Sequence, residues 1–324
     1  MATKKRPAKI PLVLESVILT HMTGQAADYT APLTDSIIRT YRGSVLAICH
    51  YGSCLQKGSC RDGIADLFIV VDSYTRCYQR LIPALANRLL PPNVYYLESQ
   101  GPDGSIRAKC AVITLDQLER QVSSSAIHSF FWARFAQPMA LSFYRDHDSA
   151  RRMAAISARA LVTFSEKTLP CLERRFTVEQ LWRTGLGLTY RAELRPEGPE
   201  RFDRLWRASE GYFLQVTPLA LSALGIRKTG SKRLGEPLYE YKEAGSSSAE
   251  CIWPWRARIA AGKILSILRL MKAAFTFKGG VDYALWKIRR HTGQEIQAGP
   301  FLRRHPILAM IVLSWRLFRS RAIR

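Results

Sequence analysis

The 324-residue chain has no apolar run near the roughly 20 residues that cross a bilayer; the longest candidate, Ile307 to Trp315, is far shorter. It has no CxxC pair, and its seven cysteines (49, 54, 60, 77, 110, 171 and 251) are odd in number. Both facts argue against a disulfide framework and a zinc site, so the expectation is reduced, mostly buried thiols in a reducing compartment. Nucleic-acid signatures of the RRM, C₂H₂ and KH type are missing. Acids are scarce: Asp+Glu 26 stand against Lys+Arg 48, a formal net charge of +22. After Glu250 only Asp282 and Glu295 are acidic. Such a balance calls for a polyanionic partner, whether nucleic acid, an anionic membrane surface or a phosphorylated substrate. The basic start, Met1 to Lys9, leads into an apolar run, Ile10 to Leu14, too short for a signal-peptide core; the lack of acids before Glu15 leaves a short transit peptide open.

What is present is a globular composition, 47% hydrophobic, in a chain long enough for two domains or one with a large appendage. Residues 33–40 read as a helix, with Thr34 or Asp35 available to cap it. Val45 to His50 reads as a strand, and Gly52 to Gly63 as a polar loop. Leu67 to Val71 is apolar on both faces, which places it centrally in a sheet. Tyr74 to Leu90 has helical spacing, with Tyr78, Leu81, Leu85 and Leu89 on one face and Pro91-Pro92 as the stop. A hairpin follows from Val94 to Thr114 around Gly101 to Gly104, then a helix from Leu115. Helical patterns dominate 149–226, with Thr177 and Gln180 spaced as a capping box. The predicted class is α+β: an N-terminal extension (1–29), a mixed sheet with helices (30–148), a mainly helical domain (149–229), a linker (230–252) and a basic amphipathic tail (253–324). In that tail Ile259, Ile264, Ile267, Leu268, Met271 and Phe275 make an apolar stripe flanked by Arg256, Arg258, Lys263, Arg269 and Lys272. This pattern fits an anionic membrane surface.

The most informative stretch runs from Cys49-His50-Tyr51-Gly52-Ser53 to Asp66-Leu-Phe-Ile-Val-Val71-Asp72. Strand, Gly-Ser turn, loop, then a strand led by a carboxylate suits a nucleoside triphosphate. Glycine lets backbone N–H groups approach phosphate, serine adds a hydroxyl donor, and aspartate is a hard ligand for Mg²⁺. This is the outline of a nucleotidyltransferase motif, with twelve residues between Ser53 and Asp66. The second acid expected two residues on is replaced by Phe68. Asp72 shares a face with Asp66 but lies about 20 Å along the strand, too far to share an ion. Glu98, ending the next strand, is the candidate for the missing ligand. His50 reads as a core histidine, because a phosphate nucleophile needs no strong base.

Further stretches agree in order with one family. Tyr51-Gly52-Ser53 with Asp66 to Val71, Lys109 to Ile113 with Leu115-Asp116, Phe131 to Pro138 around Arg134, Phe176 to Leu181, and Leu188 to Arg195 around Glu193 together resemble the mitochondrial phosphatidate cytidylyltransferases (CDP-diacylglycerol synthases), which have bacterial relatives. The resemblance covers roughly residues 45–290 and includes the missing acid at Phe68. It departs at Gln137, where the family has Lys, and at Ala192-Glu193, where it has Gly-Asp. It implies a nucleotidyltransferase-like fold and Mg²⁺-dependent transfer of the cytidylyl group of CTP to phosphatidic acid. Tyr51, Gly52, Ser53, Arg134 and Glu193 would bind the nucleotide, Asp66 and Glu98 the metal, and Lys109 would neutralise phosphate charge beside the catalytic Ser53 and Asp66. It also implies peripheral attachment through 253–324, at the cytoplasmic face of a bacterial inner membrane or the matrix side of a mitochondrial one. Nucleic acid is disfavoured as a partner. The alternatives are a nucleotidyltransferase acting on RNA or protein, and a non-catalytic membrane-associated binding protein.

Overall fold

A strand that is apolar on both faces needs cover on both sides, and the fold is arranged around that need. In the computed structural model, residues 9–24, 28–60, 63–101, 104–193, 199–233, 235–241 and 248–276 are described. The elements run α1 (Leu12–Gly24), α2 (Ala31–Tyr41), β1 (Val45–Tyr51), α3 (Ser53–Lys57), β2 (Ala65–Val71), α4 (Tyr74–Tyr78), α5 (Leu81–Leu89), β3 (Asn93–Gly101), β4 (Gly104–Thr114), α6 (Leu115–Gln121), α7 (Phe130–Phe135), β5 (Ala140–Tyr144), α8 (His147–Thr168), β6 (Arg175–Phe176), α9 (Val178–Arg191), α10 (Pro199–Ala223), β7 (Arg227–Arg233), β8 (Glu236–Glu240) and α11 (Ser248–Thr276).

The main sheet is mixed, in the order β3-β4-β2-β1-β5; β2 and β4 are parallel and the other pairs antiparallel. Strand β2 is therefore central, as its sequence predicts, and Leu67 to Val71 are fully buried. Side chains alternate across it. Phe68 and Val70, with Cys49, Ala111 and Ile113, face a core shared with α1, α7 and α8. Leu67, Ile69 and Val71, with Ile48 and Val112, face a second core shared with α2 and α4. The α+β class and mixed sheet expected from the sequence are present.

Several expectations differ from what is observed. Helix α1 lies within the segment read as an extension, yet Leu14, Ile18 and Met22 are buried in the first core. Helix α2 is capped at Thr30 without a side-chain bond, not by Thr34 or Asp35. The polar loop after Gly52 contains the short helix α3. The single helix expected over 74–90 is broken at Gln79, whose φ of +52° ends α4. The chain resumes as α5 with Leu81, Leu85 and Leu89 facing solvent. Asn87 anchors α5 instead: its Nδ2 donates to Val112 O at 2.9 Å and its Oδ1 accepts from Asn93 N at 2.7 Å. A small sheet, β6-β8-β7, takes β6 from within the expected helical domain and β7 and β8 from its end and the expected linker. The Thr177–Gln180 capping box forms as spaced. Cys171 and Cys251 form a disulfide, against the expectation of reduced thiols throughout; the other five cysteines are free and buried. Cysteines 80 residues apart give no spacing signal, and only the return of α11 to the body brings them together.

Helix α11 is the described part of the basic tail; 277–324 lie outside the described residues. Its inward side carries Trp255, which donates to Lys167 O at 3.1 Å, and Gly262, where a Cβ would sit 2.4 Å from Ala192 O. Lower down, Arg269 donates to Pro91 O at 2.8 Å and Lys272 to Pro92 O at 2.8 Å and to Leu90 O. Two cations expected to flank the apolar stripe thus point into the body, while Ile264, Ile267, Leu268 and Met271 face solvent. Among the described residues no helix is long and apolar enough to cross a membrane.

Helices α8 and α9 meet at Gly185, where an added Cβ would lie 2.3 Å from Phe164 Cζ and 2.6 Å from Thr168 Oγ1. Gly185→Ala should destabilise the protein by about 1–3 kcal/mol through overpacking. Chemical denaturation checks this: an unchanged midpoint would contradict so close an approach.

Candidate functional site

Register alone brings the motif residues together. Tyr51 on β1 pairs with Asp66 on β2, Asp66 with Lys109 on β4, and Lys109 with Tyr96 on β3. Directly paired residues share a face, so Tyr51, Asp66 and Lys109 stand side by side, about 5 Å between strands. The chain leaves β1 at Tyr51 and must turn at once to start α3 at Ser53. Gly52 makes that turn at φ +84°, ψ −161°, a conformation open essentially to glycine alone. A Cβ on Gly52 would lie 2.9 Å from Asp66 Oδ2. The turn therefore presents bare backbone against the carboxylate, and the exposed Ser53 follows it.

The position two residues after Asp66 cannot hold a ligand, and the packing shows why. Phe68 is fully buried, stacked on Tyr51 at 4.9 Å and 20° and tilted against Phe135 at 4.9 Å and Phe131 at 6.1 Å. Helix α7 lies over this part of the sheet. It leaves Asp66 as the last polar group on that face of β2.

Helix α7 also supplies Arg134, which is buried. Its guanidinium forms a bidentate pair with Glu193, at 2.5 and 2.7 Å, and donates to Phe130 O at 2.8 Å. Burial works against its charge, but the Glu193 carboxylate, with smaller contributions from Tyr51 and Asp66, holds its pKa above the ordinary value. Arg134 and Glu193, expected as separate substrate contacts, are thus bonded to each other, within the field of Tyr51 and Asp66. Next to them, Arg269 of α11 lies over Phe130 at 4.4 Å, and burial, then Arg134, lower its pKa to about 10. Lys272 is lowered to about 7 by burial and by Arg269. Neither α11 cation was anticipated at the site; the spacing of seven between Trp255, Gly262 and Arg269 was the available signal.

Glu98 does not join Asp66. It pairs with Arg107 across the β3–β4 hairpin, at 3.3 Å, and accepts from Tyr96 Oη at 3.0 Å. It is two strands over and two residues farther out, roughly 12 Å from Asp66 by strand geometry. Asp72, at the far end of β2, pairs with Arg76 and Arg145. Arg195 lies outside the described residues. Among the described residues no three His, Cys, Asp or Glu side chains are grouped to hold a metal. His50 is buried on the opposite face, 3.4 Å from Tyr29 Oη, and burial lowers its pKa to about 4. It is neutral at pH 7, as a core histidine should be.

Removing one member of the Arg134–Glu193 pair leaves a buried, uncompensated charge. Glu193→Gln or Arg134→Met alone should cost about 3–5 kcal/mol, whereas the double change to apolar residues should cost less than either. Unfolding of the three variants checks this; additive losses would show that the pair is not coupled.

No protein-family model matches the sequence, and no curated protein matches it. Among solved structures, the chain is similar to a nucleotidyltransferase-like protein from Exiguobacterium sibiricum 255-15. The match has a TM-score of 0.26 and 10% identity, and covers 67% of this chain and 99% of that one. So loose a superposition carries no functional argument; the fold class rests on the sheet itself.

Proposed function

We propose that the protein is a nucleotidyltransferase that moves the cytidylyl group of CTP to phosphatidic acid, giving CDP-diacylglycerol and pyrophosphate. The observation that carries the reading is the bare Gly52 turn lying against the Asp66 carboxylate, with Lys109 on the next strand. A triphosphate needs backbone donors, a hard oxygen ligand for its cation and a nearby positive charge, and these residues supply one of each.

The residues fit Mg²⁺ in the manner usual for nucleotide enzymes, where one or two carboxylates suffice because substrate phosphates and water complete the shell. Asp66 would hold the ion, and the lack of a Cβ at Gly52, which would lie 2.9 Å from Asp66 Oδ2, leaves that carboxylate oxygen uncovered on the side of the turn. When bound, the ion would neutralise charge on the triphosphate. The chain's own contribution is positioning. Gly52 and Ser53 offer amide and hydroxyl donors to the β and γ phosphates. Lys109 sits where charge accumulates as an acceptor phosphate oxygen bonds to the α-phosphorus and the bond to the β-phosphate oxygen breaks. Arg134 and Glu193, locked together, hold α7 over Phe68 and so fix the wall beside Asp66. No general base is required, because the acceptor is already an anion.

The acceptor's location gives the outward apolar face of α11 a purpose. Ile264, Ile267, Leu268 and Met271, with Trp253 and Arg256 nearer the start of the helix, suit the headgroup boundary of an anionic membrane. Attachment would be peripheral, on the side where CTP is available.

Purified protein with Mg²⁺, phosphatidic acid vesicles and a panel of CTP, UTP, ATP and GTP should yield CDP-diacylglycerol by mass, from CTP alone. Asp66→Asn should lower the rate at least 10³-fold and Lys109→Ala about 10²-fold, in the range for losing preorganised charge stabilisation. Nucleotide transfer to RNA or protein without a lipid product would sink the lipid reading. Full activity in Asp66→Asn would sink the site.

A further inference from the structure

Helix α5 repeats the inversion seen in α11. Its large apolar residues are exposed, with Arg88 beside them: Leu81 81%, Ile82 81%, Leu85 58% and Leu89 74%. It is attached to the body by the small Ala84, buried in the second core, and by polar bonds, through Asn87 and through Asn93 Nδ2 donating to Pro83 O at 3.0 Å. In a globular protein the apolar stripe of a helix faces the core. Four neighbouring large apolar side chains turned to water mark a contact surface. The charge along the two segments is mostly of one sign, with Asp116 of α6 the nearby exception, next to Gln117, whose Nε2 donates to Arg88 O at 2.9 Å. No acid occurs between Ser73 and Leu97, nor in α11 after Glu250, while Arg80 and Arg88 on or beside α5 and Arg256 and Lys263 on α11 are exposed. The two helices are also tied together: Leu90, Pro91 and Pro92, directly after α5, are the carbonyls that accept from Arg269 and Lys272 of α11.

We infer that α5 is a second membrane-inserting element, which with α11 forms one apolar surface flanked by Arg80, Arg88, Arg256 and Lys263 and seats the protein on an anionic bilayer. The inference rests on the membrane reading above but extends it to the sheet domain. The tail alone would tether the protein; α5 is bonded through Asn87 and Asn93 to the end of β4 and the start of β3, so its insertion would fix the orientation of the sheet on the lipid surface. The scarcity of acids, with none on α5 and only Glu250 at the start of α11, selects an anionic bilayer over a second copy of this chain. Two surfaces both rich in cations would repel on self-association.

The test uses the full chain and vesicles of phosphatidylcholine with phosphatidylglycerol, without CTP or phosphatidic acid, so that binding is read apart from catalysis. A triple variant, Leu81→Gln with Ile82→Gln and Leu85→Gln, should bind at least tenfold more weakly in flotation, with its unfolding midpoint retained. A control, Leu12→Gln with Val13→Gln, removes exposed apolar groups from α1 and should bind as the unaltered protein does. Hydrogen exchange of the unaltered protein should slow over 81–89 when vesicles are added. Unchanged binding by the triple variant, no slowing over 81–89, or a dimer in solution that the triple variant dissociates would each overturn the inference. CDP-lipid formation from a soluble short-chain phosphatidic acid with binding indifferent to α5 would overturn it and spare the proposed reaction. Binding through α5 with no CDP-lipid from any acceptor would do the reverse.

Discussion

The contact between Gly52 and the Asp66 carboxylate is the constraint on which the candidate site depends. It arises from three local facts. Strand β1 pairs with β2 in a register that ends with Tyr51 opposite Asp66. The chain then turns into α3 within one residue, which demands a positive φ. Only a residue without Cβ tolerates both the backbone angle and the 2.9 Å approach to Asp66 Oδ2. The parallel pairing of β2 with β4 sets Lys109 on the other side of the same carboxylate. Backbone donor, carboxylate and cation are thus aligned by sheet register rather than by flexible loops. Register in a sheet buried on both faces is strongly specified, since a one-residue slip would turn Phe68 and Val70 to the wrong core.

Around this contact the protein sorts its cations unusually. Positive charge is drawn inward beside the site, in the buried Arg134 and the half-buried Arg269 and Lys272, with Glu193 paired to the first. Burial lowers the pKa of both α11 cations, and their mutual proximity adds to this for Lys272. Apolar side chains on α5 and α11 take the place at the surface that cations would ordinarily hold. The sorting makes sense if an anion is drawn to the inside of the site and a lipid surface meets the outside.

Much of the central sheet could be read from the residues, because its signals are local. The double-sided apolar run of β2, the hairpin at 101–104 and the Thr177–Gln180 box each depend on neighbours in sequence, and each formed as read. The turn-and-strand outline around Gly52, Ser53 and Asp66 was legible for the same reason. What could not be read depends on contacts distant in sequence. The pairing of Arg134 with Glu193, 59 residues apart, consumed two side chains that looked free to meet a substrate. The engagement of Glu98 by Arg107 removed the expected second ligand, since cross-strand partners follow from register, not from residue type. The disulfide and the inward cations of α11 required knowing where that helix returns. The break at Gln79 reversed the exposed face of α5, and a helical periodicity cannot report which of two faces is buried when both sides of a segment have something to pack.

Calorimetric titration of CTP with Mg²⁺ into Gly52→Ala tests the central claim most directly, because this substitution alters neither charge nor hydrogen-bonding side chains. The account predicts that a fold judged intact by circular dichroism will bind CTP at least tenfold more weakly than the unaltered protein, since the added methyl strains the turn and fills the space beside Asp66. Undiminished affinity in that variant would contradict it, and would move the nucleotide away from the turn.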